Sequence, residues 1–192
     1  MSKYKDLDNF STCSPEEKDH FTVSVVKGLI MDTVRKANSG HTGGPMSSAD
    51  FATILFKDYL QFNPKDPNWF NRDRFILSAG HESALQYVLL HLIGWLGLDD
   101  LKQFRQLHSK TPGHPEVEIP GVECTTGPLG QGFGMGTGMA FAETFLRYVL
   151  EEKSKNAEGL VNHYTYVLAS DGDMQEPITL GASSLAGHLQ LS

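Results

Sequence analysis

The sequence predicts an α/β domain, a parallel sheet flanked by helices on both faces, and three observations carry that expectation. Two short β-branched or aromatic runs, residues 74–78 and 164–169, have the composition of strands. Long segments with apolar residues at helical spacing lie between and around them, and strands alternating with helices imply parallel pairing. Each strand run breaks into a small turn, Ala79-Gly80-His81 and the acidic 170–177 stretch. In open α/β sheets ligands sit at the carboxyl ends of strands.

Taken in order, the chain opens with a polar lead-in over residues 1–14, followed by the domain proper over 15–192. Ser14-Pro15-Glu16-Glu17 carries a cap, a proline suited to the first turn and a glutamate three residues after the cap. Phe21, Val25 and Leu29 with Val26, Ile30 and Val34 then form one apolar stripe that ends at Asn38-Ser39-Gly40. His41-Thr42-Gly43-Gly44-Pro45 reads as a tight loop, and residues 46–59 as a second helix capped by Ser47 or Ser48. A loop over 63–71 precedes the first strand. A long apolar helix is expected from Glu82 to about Leu96, a short one over 99–108, and an irregular Pro- and Gly-rich stretch over 109–130. A helix then runs to about Glu152, a polar connection covers 153–162, and after the second strand another apolar helix begins near Leu180.

In that fifth segment Gly130, Gly134 and Gly138, with Gly132, Gly136 and Ala140, form two stripes at four-residue spacing. Close packing and close approach of a ligand to the backbone explain them equally well. They match neither a dinucleotide fingerprint nor a phosphate-binding P-loop.

Composition narrows the function classes. A formal net charge of −7 without a basic run argues against nucleic acid or an acidic membrane as partner. No segment approaches the apolar length of a membrane span. Cys13 and Cys124 stand far apart, without the spacing of a disulfide framework or zinc site, which fits a reduced, cytoplasmic setting. What remains is a soluble domain acting on small molecules or proteins.

Chemistry concentrates at four glycine-flanked sites, Gly40-His41, Gly80-His81, Gly113-His114 and Asp171-Gly172. A lone histidine beside glycine is more often structural, and Asp-Gly is an ordinary turn dipeptide. Their common placement at loop or strand ends favours a site. Histidine suits oxygen-rich substrates because it donates, carries charge or moves a proton near neutrality, and Asp171 with Asp173 could hold a hard cation such as Mg2+. His20, His91, His108 and His163 read as structural.

The motifs Ala37-Asn38-Ser39-Gly40-His41, Asn71 through His81, Thr111-Pro112-Gly113-His114-Pro115-Glu116 and Gly121 through Gly132 together resemble transketolase, in its amino-terminal diphosphate-binding domain. The resemblance covers nearly all of the chain after Pro15. It implies a thiamine diphosphate-binding fold, incomplete at its C-terminus, and transfer of a two-carbon ketol unit from a ketose phosphate to an aldose phosphate in the pentose phosphate pathway. It implies Asp171 as a ligand of Mg2+, with Ca2+ or another divalent cation as substitutes, and Gly172 against the diphosphate. Gly127, Pro128 and Leu129 would pass beside the aminopyrimidine, His81 would touch cofactor and substrate, and His41 and His114 would assist proton transfer. Glu176 would lie at a subunit interface. Asp173 then loses its claim as a second ligand.

Departures from the family pattern are Ser170 for a glycine, Thr42 for a proline and Gly181 for a second interface glutamate. The family's asparagine metal ligand and its catalytic glutamate would fall outside these residues, so the resemblance implies a partner: a second copy in a homodimer or a complementary C-terminal transketolase part. Two alternatives remain. One is another thiamine diphosphate enzyme, a synthase or keto-acid dehydrogenase component; the other is a non-catalytic interaction fragment that keeps the fold.

Overall fold

Helix α1, Pro15–Ala37, starts where the cap signals place it. Glu17 donates its N–H to the Ser14 hydroxyl at 3.2 Å, and the Glu17 carboxylate accepts the Ser14 N–H at 2.9 Å, so two orphan donors are satisfied reciprocally. Asn38 ends the helix in the left-handed region. The computed structural model describes residues 7–192. The first six residues of the expected lead-in lie outside the described residues, and Leu7–Thr12 is a short 3-10 helix.

Helix α2, Gly43–Ile54, begins three residues before the expected start, and neither Ser47 nor Ser48 caps it. Thr42 precedes it, and the Ser47 hydroxyl donates back to the Gly44 carbonyl at 3.0 Å. The reason is Pro45, whose missing N–H is harmless in a first helical turn, so the Gly-Gly-Pro run is that turn and not a loop. The chain widens into a π-helical turn at Leu55–Tyr59.

Strand β1, Arg74–Leu77, leads through a 3-10 turn into α3, Ser83–Leu92. This helix stops before the expected Leu96 because Gly94 reverses the chain at φ +90°. Helix α4, Leu98–Lys102, is shorter than the 99–108 helix expected, since Arg105 and His108 adopt left-handed backbone. Helix α5 spans Gln131–Lys153 and strand β2 Thr165–Leu168. The acidic stretch expected as a turn contains a helix, α6, Asp171–Gln175, and α7, Pro177–Leu189, starts on its proline three residues before the expected Leu180.

The two strands pair in parallel, Arg74 opposite Thr165 through Leu77 opposite Leu168. Alternation then sorts side chains to two faces. Phe75 and Leu77 join Val26, Ile30, Leu55, Leu85 and Tyr87 in one core under α1, α2 and α3. Ile76 and Val167 point the other way, onto Gly136 of α5. Helices therefore cover both faces, as the sequence predicts. The glycine stripes resolve toward packing: a Cβ on Gly132 would meet Ser78, one on Gly136 would meet Val167, and one on Gly134 would meet Ile178. Among the described residues no helix is long and apolar enough to cross a membrane. Cys124 is a buried thiol, and burial, then the Glu123 charge, pushes it up to about 11.

Candidate functional site

The carboxyl end of β1 is where the site's parts converge. Ser78 and Ala79 donate their N–H groups to the Leu168 carbonyl, which carries the pairing one step past the strands. Gly80 then packs so closely on the next layer that a Cβ there would stand 2.8 Å from the Gly127 nitrogen. The buried Thr126 hydroxyl donates to the Leu77 carbonyl at 2.7 Å. Gly127, Pro128 and Leu129 are thereby held beside the turn that carries His81.

The three candidate histidines come together here. The His41 and His81 rings lie edge to face with centroids 5.1 Å apart. A Cβ on Gly127 would stand 3.4 Å from the His114 ring. Helix α3 anchors the His114 loop, because Ser83 donates to the Gly113 carbonyl at 2.8 Å and Tyr87 to the His114 carbonyl at 3.1 Å. Burial, then the charges of His81 and Arg105, lowers the His41 pKa below its ordinary value. His114 is lowered by burial, then by Arg105, His41 and His81. These two imidazoles are therefore biased toward the neutral form, which can accept a proton.

At the carboxyl end of β2 the two aspartates divide their roles. The Asp173 carboxylate is fully buried and accepts four bonds, from the Ser78 hydroxyl, the Gly130 N–H, the Ser170 N–H and the Ser170 hydroxyl, at 2.7–2.8 Å. Burial alone would raise its pKa, but the Ser78 hydroxyl, the Gly130 N–H and Ser170 together hold it below the ordinary carboxylate value. It stitches β1, α5 and α6 together, and no lone pair is left over for a metal. Asp171 is exposed, and among the described residues its carboxylate has no hydrogen-bond or ion-pair partner. Gly172 packs on Leu129, where a Cβ would meet the leucine methyl at 3.0 Å. Glu176 stands at the N-cap position of α7, without a side-chain capping bond, and lies against Gly130. His41, His81, His114 and Gly127 thus gather at the carboxyl end of β1 and Asp171, Gly172 and Glu176 follow the carboxyl end of β2, with Leu129 packed between the two groups on Gly172. Among the described residues no group of three or more His, Cys, Asp or Glu could hold a metal.

Three participants were not legible as such. Ser78 donates to Asp173 and accepts the Phe133 N–H at 3.0 Å, fixing the start of α5. Glu82, beside His81, is buried against Gly44, with one carboxylate oxygen unpartnered among the described residues. Burial raises its pKa, and the Ser48 hydroxyl and His81 offset this in part. Arg105, in a stretch expected to be helical, reaches Ser39 with its guanidinium at 2.8 Å. The four histidines read as structural behave so where partners are seen, His91 meeting the Leu96 carbonyl and His163 the Asn71 side chain.

A family model described as transketolase, thiamine diphosphate binding domain, matches residues 18–192. A transketolase of Staphylococcus epidermidis is 56% identical over 176 residues, which cover 91% of this chain and 26% of that protein. A transketolase structure from Pichia stipitis, solved in complex with sedoheptulose 7-phosphate, superposes with a TM-score of 0.85 at 49% identity, covering 90% of this chain and 25% of that one. One from Leishmania mexicana superposes at 0.83 with 44% identity, covering 89% and 25%. The chain spans about a quarter of the length of the relatives it matches.

Proposed function

Because the chain belongs to the transketolase family, as a portion carrying that family's thiamine diphosphate binding domain, we propose that it forms the diphosphate side of a ketol-transfer site. The reaction moves a two-carbon unit from a ketose phosphate to an aldose phosphate, in a cytoplasmic enzyme of the pentose phosphate pathway. The observation that supports this reading best is the edge-to-face contact of His41 and His81, with the His114 ring against Gly127 and Asp171 at the same end of the sheet.

The residues present fit one side of a cofactor site. Asp171, exposed and unpartnered, supplies one oxygen for Mg2+, which takes one or two carboxylates beside phosphate and water. Ca2+ would take the same oxygen. Asp173 cannot join it, since its carboxylate is saturated. Gly172 and the Gly127-Pro128-Leu129 segment line the cofactor, which when bound supplies the electron sink for breaking and forming the carbon–carbon bond. His81 orients cofactor and sugar. His41 and His114, biased toward neutrality, take a proton from a substrate hydroxyl or return it. Glu176 and the exposed face of α7 meet the remainder of the protein, as a second copy in a dimer or a complementary C-terminal part.

Joining this chain to the remaining part of a transketolase, in cis or in trans, and assaying ketol transfer between sugar phosphates with thiamine diphosphate and Mg2+ tests the reading. Turnover is expected, reduced by about 10²–10⁴-fold in His114→Ala. No turnover with every component present, or turnover unaffected by that substitution, contradicts it.

A further inference from the structure

The Arg105 side chain lies where two of the site's loops meet. Its Nη1 donates to the Ser39 hydroxyl at 2.8 Å, two residues before His41. On the other side, a Cβ on Gly113 would come within 3.2 Å of Nε, so the residue before His114 lies flat against the guanidinium. The Nε is buried and has no acceptor among the described residues. The Arg105 backbone is held in the left-handed region at φ 60°, a conformation that a residue with a Cβ seldom adopts, and its N–H closes the loop on the Thr111 carbonyl at 2.8 Å. The guanidinium carbon also lies 5.7 Å from the centre of the Phe104 ring.

An arginine that merely solvates a surface extends its head into water. This one is fixed by a strained backbone, a ring beneath it and a loop on each side. Unusual backbone held in place by its surroundings points toward a site, and here it points at the two histidine loops. We propose that Arg105 is a positioning residue whose guanidinium ties the loop carrying His41 to the loop carrying His114 and sets the two imidazoles in register. The proposal rests on reading those histidines as site residues.

Position and charge can be separated. His41 is faced by His81 and Arg105, and His114 by Arg105, His41 and His81, so Arg105 is the permanent cation shared by both. Lysine keeps the charge and loses the planar fork; glutamine loses the charge. The test is histidine-ring NMR of the 192-residue chain across pH, with amide spectra of Ser39 and Gly113 read alongside. In Arg105→Gln, His41 and His114 should both titrate at higher pH than in the wild type, and the Ser39 and Gly113 amides should move. In Arg105→Lys the two titrations should stay near their wild-type positions while the same amides move.

Unmoved titrations and unmoved amides in a folded Arg105→Gln chain would overturn the proposal. If that variant does not fold, Ser39→Ala removes only the acceptor. There the His41 ring resonances should shift with little change in melting temperature, and unshifted resonances would overturn the proposal equally. Neither readout involves turnover, so failure of this proposal and failure of ketol transfer in the joined protein are told apart.

Discussion

The β1 side and the β2 side of the sheet differ in how far the chain completes them. Under α1, α2 and α3 the core is closed: Val26, Ile30, Leu85 and Tyr87 are sealed from solvent, and three of the four β1 residues are buried. On the side of β2 and α7 no strand residue is fully buried, and Thr179 is the one buried residue of α7. Phe145, Ile178, Leu180 and Leu185 are each at least half exposed there, and an apolar groove of about 740 Å³ runs between α5 and α7. Apolar surface on this scale marks an interaction face. The residue types are alike on both sides, so composition does not separate them; only partners do. The acidic turn with Asp171 belongs to the open side, and the histidine loops sit where the two sides meet.

The largest expected contrast comes from truncating one leucine on each side. Leu85→Ala should cost about 2–5 kcal/mol in urea unfolding of the chain, because it opens a cavity in the closed core. Leu185→Ala, half exposed, should stay within about 0.5 kcal/mol. Equal losses would show that the open face is buried in solution. Glycine gives a second contrast of smaller size. Gly136→Ala drives a methyl into Val167 and Ile76 and should cost about 1–3 kcal/mol. Gly181→Ala meets nothing within 4 Å and should stabilise the chain by about 0.5–1 kcal/mol through helix propensity.

A smaller effect concerns Glu82, at the boundary between the sides. Its pKa is raised in the fold, so the native state binds this proton more tightly than the unfolded chain. By linkage, the side chain adds stability fully below the unfolded carboxyl range and loses that contribution as pH rises through the folded value. Glu82→Gln should therefore melt higher than the wild type at neutral pH, with the gap closing on acidification. A gap independent of pH would mean that Glu82 is not ionised against its burial.

How much of this was legible in the sequence depended on whether a local rule decided the outcome. Ser14 with Glu17 is a reciprocal cap formed by neighbours alone, and it appears as read. Ser170 and Asp173 carry the same spacing, and that pattern could have revealed α6 and the saturation of Asp173. The partners of Asp173 from β1 and α5 could not be found this way, since Ser78 and Gly130 approach it only once the sheet has formed. Pro45 reads as a loop signal although a first helical turn accepts it, and Gly94 breaks a helix whose apolar spacing runs on. The histidine motifs were visible one by one. Their meeting at His41 and His81, and the Arg105 side chain behind them, needed tertiary contacts that no spacing encodes.

Calorimetric titration of thiamine diphosphate in the presence of Mg2+ asks whether the chain supplies one wall of a shared site. Binding by the 192-residue chain alone should be weak, it should become tight once the complementary transketolase part is added, and the tight mode should be lost in Asp171→Ala. Tight binding by the chain alone, or binding indifferent to Asp171, would contradict it.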